Sequence, residues 1–175
     1  KAGRLTAVYA PAETETGAKL RLLESPRDSS LLSKPALLSP GGGLVSTERD
    51  YGRFLQMLVN GGFLGRERVL SPTTVELFEM NQAPAESMPF GIAPGEDMFH
   101  KGYGFSLGTR VLTDVAASGQ AGSIGEFGWD GYLCTHCWVD RKRELYGMLL
   151  AQLDPFNYYP LATKFKQLAY QAIVD

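Results

Sequence analysis

The chain has 175 residues, of which 44% are hydrophobic and 21% charged, the composition of an ordinary globular domain with room for a core. Its net charge of −2 arises from 17 basic and 19 acidic residues that are interspersed along the sequence. This balance argues against nucleic acid as a partner. No apolar run approaches the ~18 residues of a membrane span, so we expect no membrane partner either.

The first part of the chain predicts two short strands and a loop. The strands are expected over 4–10 and 18–24, where Leu20 and Leu22 alternate with basic residues as in a half-buried strand. The stretch 25–40 is rich in serine and proline and has no clear period. We therefore predict a loop there, packed by its leucines.

Two amphipathic helices are predicted next. Thr47 can cap the first, which carries apolar residues at helical spacing and ends at the Asn-Gly-Gly of residues 60–62. The second begins at Ser71, with proline in its first turn, and fades at Asn81. Residues 82–101 contain three prolines and no period, which predicts a long surface loop.

In the second half the pattern becomes strand-like. Residues 103–111 predict one strand, and 116–122 a flexible link. A hairpin is predicted from 134–139 and 145–152, of which the second strand is nearly all apolar and is expected to be central and covered on both faces. A last helix opening at Pro160 should pack across this sheet. The predicted class is α+β, an antiparallel sheet with helices against it.

A glycine-rich segment precedes the predicted hairpin. Residues 125–132 read Gly-Glu-Phe-Gly-Trp-Asp-Gly-Tyr. Glycine in a strand often marks close approach by backbone or ligand, and a bare backbone edge can bind a developing oxyanion. The residues alone leave open a glycine-bent hairpin with no catalytic role.

The two cysteines, Cys134 and Cys137, have C-x-x-C spacing, so a zinc or redox protein is an alternative. Side chains three residues apart on a strand point to opposite faces, and no second Cys/His pair completes a tetrahedral site. We therefore favour ordinary buried cysteines and expect neither a metal nor a cofactor.

The two histidines are predicted to be structural. His136 follows the predicted strand pattern and is expected to be packed or at the surface, and His100 to be exposed in the long loop. A triad of either histidine with Ser118 or Ser123 is the alternative.

Three segments carry a resemblance to a known family. Residues 129–136, Trp-Asp-Gly-Tyr-Leu-Cys-Thr-His, are similar to a Trp-x-Gly-x-x-Gly-Thr element, and residues 41–54 to a Gly-Gly-Gly-Leu-x-Ser-Thr-x-x-Asp-Tyr-x-Arg-Phe segment. A third match covers 70–75. All three occur in serine hydrolases related to class C β-lactamases, among them the family VIII carboxylesterases, which share the penicillin-binding-protein fold. The order and spacing are also similar, over roughly residues 39–153.

The resemblance implies acyl-enzyme chemistry by a Ser-x-x-Lys nucleophile helped by a Tyr-x-Asn motif. Neither motif occurs in this sequence. We therefore expect residues 1–175 to be the C-terminal portion of a β-lactamase-related hydrolase domain, inactive alone, with the missing N-terminal catalytic portion as its partner. A non-catalytic binding protein of the same fold is the alternative, and Ser-x-x-Lys in the full protein would distinguish the two.

The same resemblance assigns roles to four residues. It implies that the backbone N–H of Tyr132 is an oxyanion donor, and that Trp129, Asp130 and Gly131 line the substrate cleft. Family β-lactamases carry Lys-Thr-Gly or Lys-Ser-Gly here, which help to hold a substrate carboxylate. An indole and a repelling acid in their place imply small uncharged esters as substrates, with a β-lactamase or peptidase acting on amides as the alternative. Cys134 replaces the later motif glycine.

Overall fold

The structure is a computed structural model that describes residues 2–12, 19–39, 41–84, 87 and 101–174. Within these ranges the helices are α1 (Glu48–Val59), α2 (Pro72–Phe78), α3 (Val115–Ser118) and α4 (Leu161–Gln171). The strands are β1 (Val8–Ala12), β2 (Lys19–Glu24), β3 (Phe63–Leu64), β4 (Glu67–Arg68), β5 (Tyr103–Phe105), β6 (Arg110–Leu112), β7 (Phe127–Gly131), β8 (Thr135–Asp140) and β9 (Leu145–Leu150). None of the helices in these ranges is long and apolar enough to cross a membrane.

An antiparallel sheet of five strands is the centre of the described structure, in the spatial order β5-β6-β7-β8-β9. Each of these strands pairs with the next one along the chain, so the sheet is a meander. Helix α1 contacts β8 and β9 from one face. Helix α4 packs on the opposite face, where its Phe165 meets the Trp138 ring edge-on. The predicted α+β class is confirmed.

Helix α1 begins and ends as predicted. The Thr47 hydroxyl accepts the backbone N–H of Asp50 at 3.2 Å, which satisfies a donor that the first turn leaves unpaired. After Asn60, two glycines with positive φ turn the chain away from the helix. The apolar stripe of α1 packs against α2 and the sheet, and this core consists of Leu55, Met57, Leu58, Val75, Val111, Phe127, Cys137 and Val139.

Helix α4 packs across the sheet as predicted, but its inward face is more polar than its apolar stripe indicates. Lys166 is buried and Leu168 is 63% exposed. The reason lies on the sheet, where the carboxylates of Glu126 and Asp140 are buried and need donors. Lys166 binds Glu126, and the Tyr170 hydroxyl lies 2.7 Å from Glu126 and 2.8 Å from Asp140.

Two strands replace the single strand predicted over 103–111. A turn separates β5 from β6, with the Ser106 N–H bonded to the Thr109 carbonyl at 2.8 Å and Gly108 at φ +77°. The alternation of apolar residues continues across this turn, which hid it in the sequence. The predicted flexible link over 116–122 overlaps the short helix α3, which begins at Val115 and is capped by Asp114.

The prediction that 145–152 forms a central strand is wrong. Strand β9 lies at the edge of the sheet as described, paired on one side with β8. Its side chains are half-buried, and Leu150 is 48% exposed. Its apolar composition therefore reflects contact with α1 and α4 on its two faces, not a strand on each side.

The N-terminal part contains two strands, β1 and β2, which pair with each other, but β1 begins at Val8 and not at residue 4 as predicted. The exposure of the β2 side chains also differs from the prediction. Leu20 and Leu22 are exposed at 56% and 55%, so β2 is not the half-buried strand that alternation indicates. Leu37 and Leu38 of the following loop are exposed as well. Most of the predicted 82–101 loop lies outside the described residues.

Candidate active site

The predicted site residues lie together at the end of strand β7. Trp129, Asp130 and Gly131 are its last residues, and Tyr132 follows in the turn to β8. Strand β6 pairs with β7 only at Phe127 and Gly128, whereas β8 pairs along all five residues of β7. Beyond Gly128 the outer edge of β7 therefore has no paired strand among the described residues.

The turn after β7 explains the motif's second glycine. The Cys134 N–H donates to the Gly131 carbonyl at 3.0 Å, and Cys134 has a φ of +64°. That conformation favours glycine, because a Cβ is crowded there. The resembling family's glycine therefore matches a backbone requirement, and Cys134 meets the same requirement without changing the turn.

The backbone N–H of Tyr132 lies in the turn between β7 and β8. Among the described residues it has no backbone acceptor, and the Tyr132 side chain is 76% exposed. A backbone N–H at an exposed turn can stabilise developing negative charge without reorganising. A second donor from elsewhere would complete an oxyanion hole.

Trp129 lies on the sheet face that carries α1. It is opposite Cys137 on β8, and its ring meets that of Phe105 edge-on, with centroids 5.7 Å apart. Trp129 is half-buried in this position. Trp129 thus lies in the part of β7 that pairs with β8 alone among the described residues.

The Asp130 carboxylate has two partners, Arg110 and His136. It is therefore not the unpaired acid that the sequence indicated. Arg110 forms an ion pair with one oxygen, and His136 Nδ1 lies 2.8 Å from the other. Because a carboxylate only accepts, that nitrogen carries the hydrogen. Burial alone would raise the pKa of Asp130, but the His136 hydrogen bond and the Arg110 charge bring it from 3.8 to about 2. The expected repulsion of a substrate carboxylate is therefore weak, since Arg110 compensates the charge.

His136 is a buried partner of Asp130 and has no contact with a candidate nucleophile in the described structure. Its side chain is 3% exposed, and Nε2 has no hydrogen-bond partner among the described residues. Ser118 instead bonds the Val115 carbonyl, and the Ser123 N–H bonds Asp140. Neither serine is hydrogen-bonded to His136 among the described residues, so the structure does not support a triad built on His136. His100 lies outside the described residues.

The two cysteines have different partners. Cys137 Sγ lies 3.7 Å from the Tyr51 hydroxyl, and burial raises the pKa of this thiol. Cys134 Sγ accepts the Asn157 N–H at 3.4 Å. Within the described part of the chain, no group of three His, Cys, Asp or Glu side chains could hold a metal ion.

Sequence reasoning missed two ion pairs, the half-buried pair of Arg110 with Asp130 and the buried pair of Lys166 with Glu126. Arg110 and Lys166 lie outside the apolar faces of the predicted strand and helix, so no local misfit signalled them. Their partners, Asp130 and Glu126, are 20 and 40 residues away. The spacing of apolar residues within one strand or helix does not indicate which distant charges pair.

Similarity to a protein-family model identifies the family of this chain. The Beta-lactamase family model matches residues 1–171, so the chain belongs to the beta-lactamase family. Protein Rv1367c of Mycobacterium tuberculosis (strain ATCC 25618 / H37Rv) is 34% identical over 127 residues, which are 71% of this chain and 31% of that protein. The chain thus spans about a third of the length of this relative.

Solved structures share the fold. The LovD6 mutant of simvastatin synthase (LovD) from Aspergillus terreus has a TM-score of 0.75 at 19% identity, over 97% of this chain and 42% of that one. EstCE1, described as a hydrolase with promiscuous acyltransferase activity, has a TM-score of 0.64 at 19% identity, over 91% and 42% of the respective chains. The partial coverage fits the predicted C-terminal part of the fold.

Proposed function

We propose that this member of the beta-lactamase family is part of a serine hydrolase that acts through an acyl-enzyme. The chemistry of the site favours a carboxylesterase that acts on small uncharged esters, with residues 1–175 supplying one wall of the active site. The nucleophile and its base would come from the N-terminal portion of the same protein. EstCE1, which shares the fold, is described as a hydrolase with promiscuous acyltransferase activity.

The observation that carries this proposal is the open edge of β7. Pairing with β6 stops at Gly128, and the Tyr132 N–H lies four residues beyond, with no backbone acceptor among the described residues. Acyl transfer develops negative charge on the carbonyl oxygen, and such a donor stabilises that charge. A single donor gives only part of an oxyanion hole, so this chain by itself is not sufficient for catalysis.

The preference for uncharged substrates rests on Trp129. It occupies the position of the lysine in the resembling β-lactamases and offers an indole in place of a cation. The nearby guanidinium of Arg110 is already paired with Asp130, so it does not replace that lysine. An uncharged acyl group can lie against the aromatic surface of Trp129 and Phe105, where apolar contact is favourable.

The N-terminal portion, as the proposed partner, has a surface to cover. Strand β9 has one unpaired side in the described structure, and large apolar side chains elsewhere are exposed. Exposed apolar area of this kind is typical of an interface. The most exposed of these side chains between residues 20 and 45 are Leu20, Leu22, Leu37, Leu38, Leu44 and Val45.

The isolated chain is expected to hydrolyse no activated ester, because it contains neither Ser-x-x-Lys nor Tyr-x-Asn. The measurement is release of p-nitrophenol from p-nitrophenyl acetate by pure chain, against buffer and full-length protein. Turnover by the chain that a serine-directed phosphonate abolishes would contradict the division of the site. Full-length protein that has Ser-x-x-Lys but no acyl-enzyme would favour the non-catalytic alternative.

Trp129→Lys in the full-length protein is expected to shift substrate preference toward anionic substrates. A charged hydrogen bond contributes about 1.5 kcal/mol, so kcat/KM for a carboxylate-bearing ester or a cephalosporin should rise about tenfold relative to a neutral ester. Trp129→Met is the matched control, because methionine has lysine's length without its charge. If both variants change the ratio equally, or neither does, charge at position 129 does not determine the preference.

A further inference from the structure

Three neighbouring strands each contribute one side chain to a cluster beneath the end of β7. Arg110 of β6 and His136 of β8 approach the carboxylate of Asp130 on β7 from opposite sides. In the sheet register His136 is directly opposite Asp130, whereas Arg110 is opposite Gly128, two residues earlier. Each carboxylate oxygen thus has its own partner on a different strand.

The cluster is largely enclosed. The side chain of His136 is 3% exposed, and those of Arg110 and Asp130 are 22% and 20% exposed. The guanidinium of Arg110 lies 5.9 Å from the centre of the Tyr103 ring, which supports it from β5. A charge pair that is fixed on several sides and partly shielded from water holds its geometry better than an exposed pair.

The cluster lies just beyond the last paired residues of β6 and β7. The hydrogen bonds between these two strands therefore do not hold the site residues that follow Gly128. The last register pair between β6 and β7 is Arg110 with Gly128, and the segment from Trp129 to Gly131 is paired with β8 alone. The bridge from Arg110 to Asp130 joins the two strands beyond this point. The Tyr132 N–H follows Asp130 by two residues, so its direction depends on where the backbone of Asp130 is held.

Asp130 is poorly suited to a direct role in the reaction. Both carboxylate oxygens are occupied, and its side chain lies on the same sheet face as its partner His136. By strand alternation Trp129 lies on the other face, with α1. The carboxylate stays ionised at ordinary pH, so it has no proton to donate, and the two oxygens that could accept one are already bonded to Arg110 and His136.

We propose that Arg110, Asp130 and His136 form a positioning cluster that sets the direction of the Tyr132 N–H toward the reacting carbonyl. This inference deepens the proposed function and rests on it for its catalytic consequence. Asp130 acts through the backbone of β7, Arg110 fixes it to β6, and His136 fixes it to β8. Loss of the cluster turns the donor away from the oxyanion and leaves substrate contacts in place.

The test uses full-length protein carrying Asp130→Asn, with Glu79→Gln as the matched control. Glu79 pairs with Arg141 at 2.8 Å, and the two side chains are 28% and 23% exposed, close to the values for the cluster. A misplaced oxyanion donor costs up to about 100-fold in rate. Asp130→Asn should therefore lower kcat for a neutral ester about 10- to 100-fold, with KM changed less than about threefold. Glu79→Gln should change neither by more than about twofold.

Two variants of His136 separate positioning from mere folding. Asparagine places an amide N–H where Nδ1–H stands and can still donate to Asp130, whereas leucine cannot. His136→Asn should retain several times more kcat than His136→Leu at matched thermal stability. Equal kcat losses in the two variants would overturn the positioning role of this hydrogen bond.

A second readout does not depend on catalysis. The amide signal of Tyr132 is followed in full-length protein by selective ¹⁵N-tyrosine labelling, and its chemical shift is compared among the variants. Asp130→Asn should move this signal, and Glu79→Gln should not. An unmoved Tyr132 amide overturns the cluster's role. A moved amide in a protein that hydrolyses no ester would support the positioning and reject the proposed function.

Discussion

Replacing Lys166 with methionine is expected to lower the free energy of unfolding by about 3–5 kcal/mol. The ammonium of Lys166 binds the Glu126 carboxylate, and the two side chains are 9% and 3% exposed. Methionine preserves the apolar stem but removes the charge. Glu126 then remains buried with the Tyr170 hydroxyl as a donor and no cation. The measurement is urea unfolding of full-length protein, followed by tryptophan fluorescence.

The stability that Lys166→Met loses should be larger at high pH than at low pH. Burial raises the pKa of Glu126 above its ordinary 4.5, and the Lys166 charge partly offsets this rise. Without Lys166 the folded-state pKa rises further above the unfolded value. A carboxyl of this kind contributes stability below its unfolded pKa and loses it as pH rises through the folded pKa. The variant should therefore be closer to wild type at about pH 5 than at about pH 8.

Two controls define this result. Lys164→Met changes an exposed lysine of the same helix and should cost less than about 0.5 kcal/mol. Adding Glu126→Gln to Lys166→Met removes the unpaired charge and should recover a large part of the loss. A Lys166→Met protein as stable as the Lys164→Met protein at both pH values would contradict the buried pair.

Gly128→Ala is expected to destabilise the protein by about 3 kcal/mol and to lower the proposed esterase activity of the full-length protein. A Cβ at this position would overlap the carbonyl oxygen of Cys137 and lie 2.8 Å from the Cα of Trp138. These are backbone atoms of β8 that cannot rotate away, so the two strands must separate. Separation would also disturb the register of Trp129 to Gly131, on which the proposed site depends.

The matched change is Gly42→Ala. A Cβ there meets nothing within 4 Å, and Gly42 is not among the glycines with positive φ. It should leave stability within about 0.5 kcal/mol. Thermal unfolding and ester kinetics of both variants give the comparison. Equal stability of the two proteins would mean that β7 and β8 are not as closely paired at Gly128 as described.

The resemblance in the sequence led to the correct family because its motifs coincide with local backbone requirements. Cys134 stands where the motif has glycine, and the turn holds this residue at a positive φ. Gly131 stands where a Cβ would meet the Thr135 side chain of β8. Such requirements act within a few residues, so they leave a recognisable pattern in sequence order.

The sequence predicted the family correctly but not the charge around Asp130. The sequence shows Asp130 beside Trp129, and an unpaired acid there would repel an anionic substrate. Strand pairing brings Arg110 and His136 to that carboxylate from two other strands. The sign and strength of the local field therefore depended on partners that the sequence does not place next to Asp130.

The sequence by itself determined the elements whose causes are local. Thr47 and Ser71 cap α1 and α2 by bonds to residues three positions away, and the β8–β9 hairpin follows from a short charged connection. Only the tertiary structure decided which strand lies at an edge, which face of α4 is buried and which charges are paired. Those outcomes depend on contacts between residues far apart in sequence. Apolar periodicity shows that a face is buried, but it does not show what covers it.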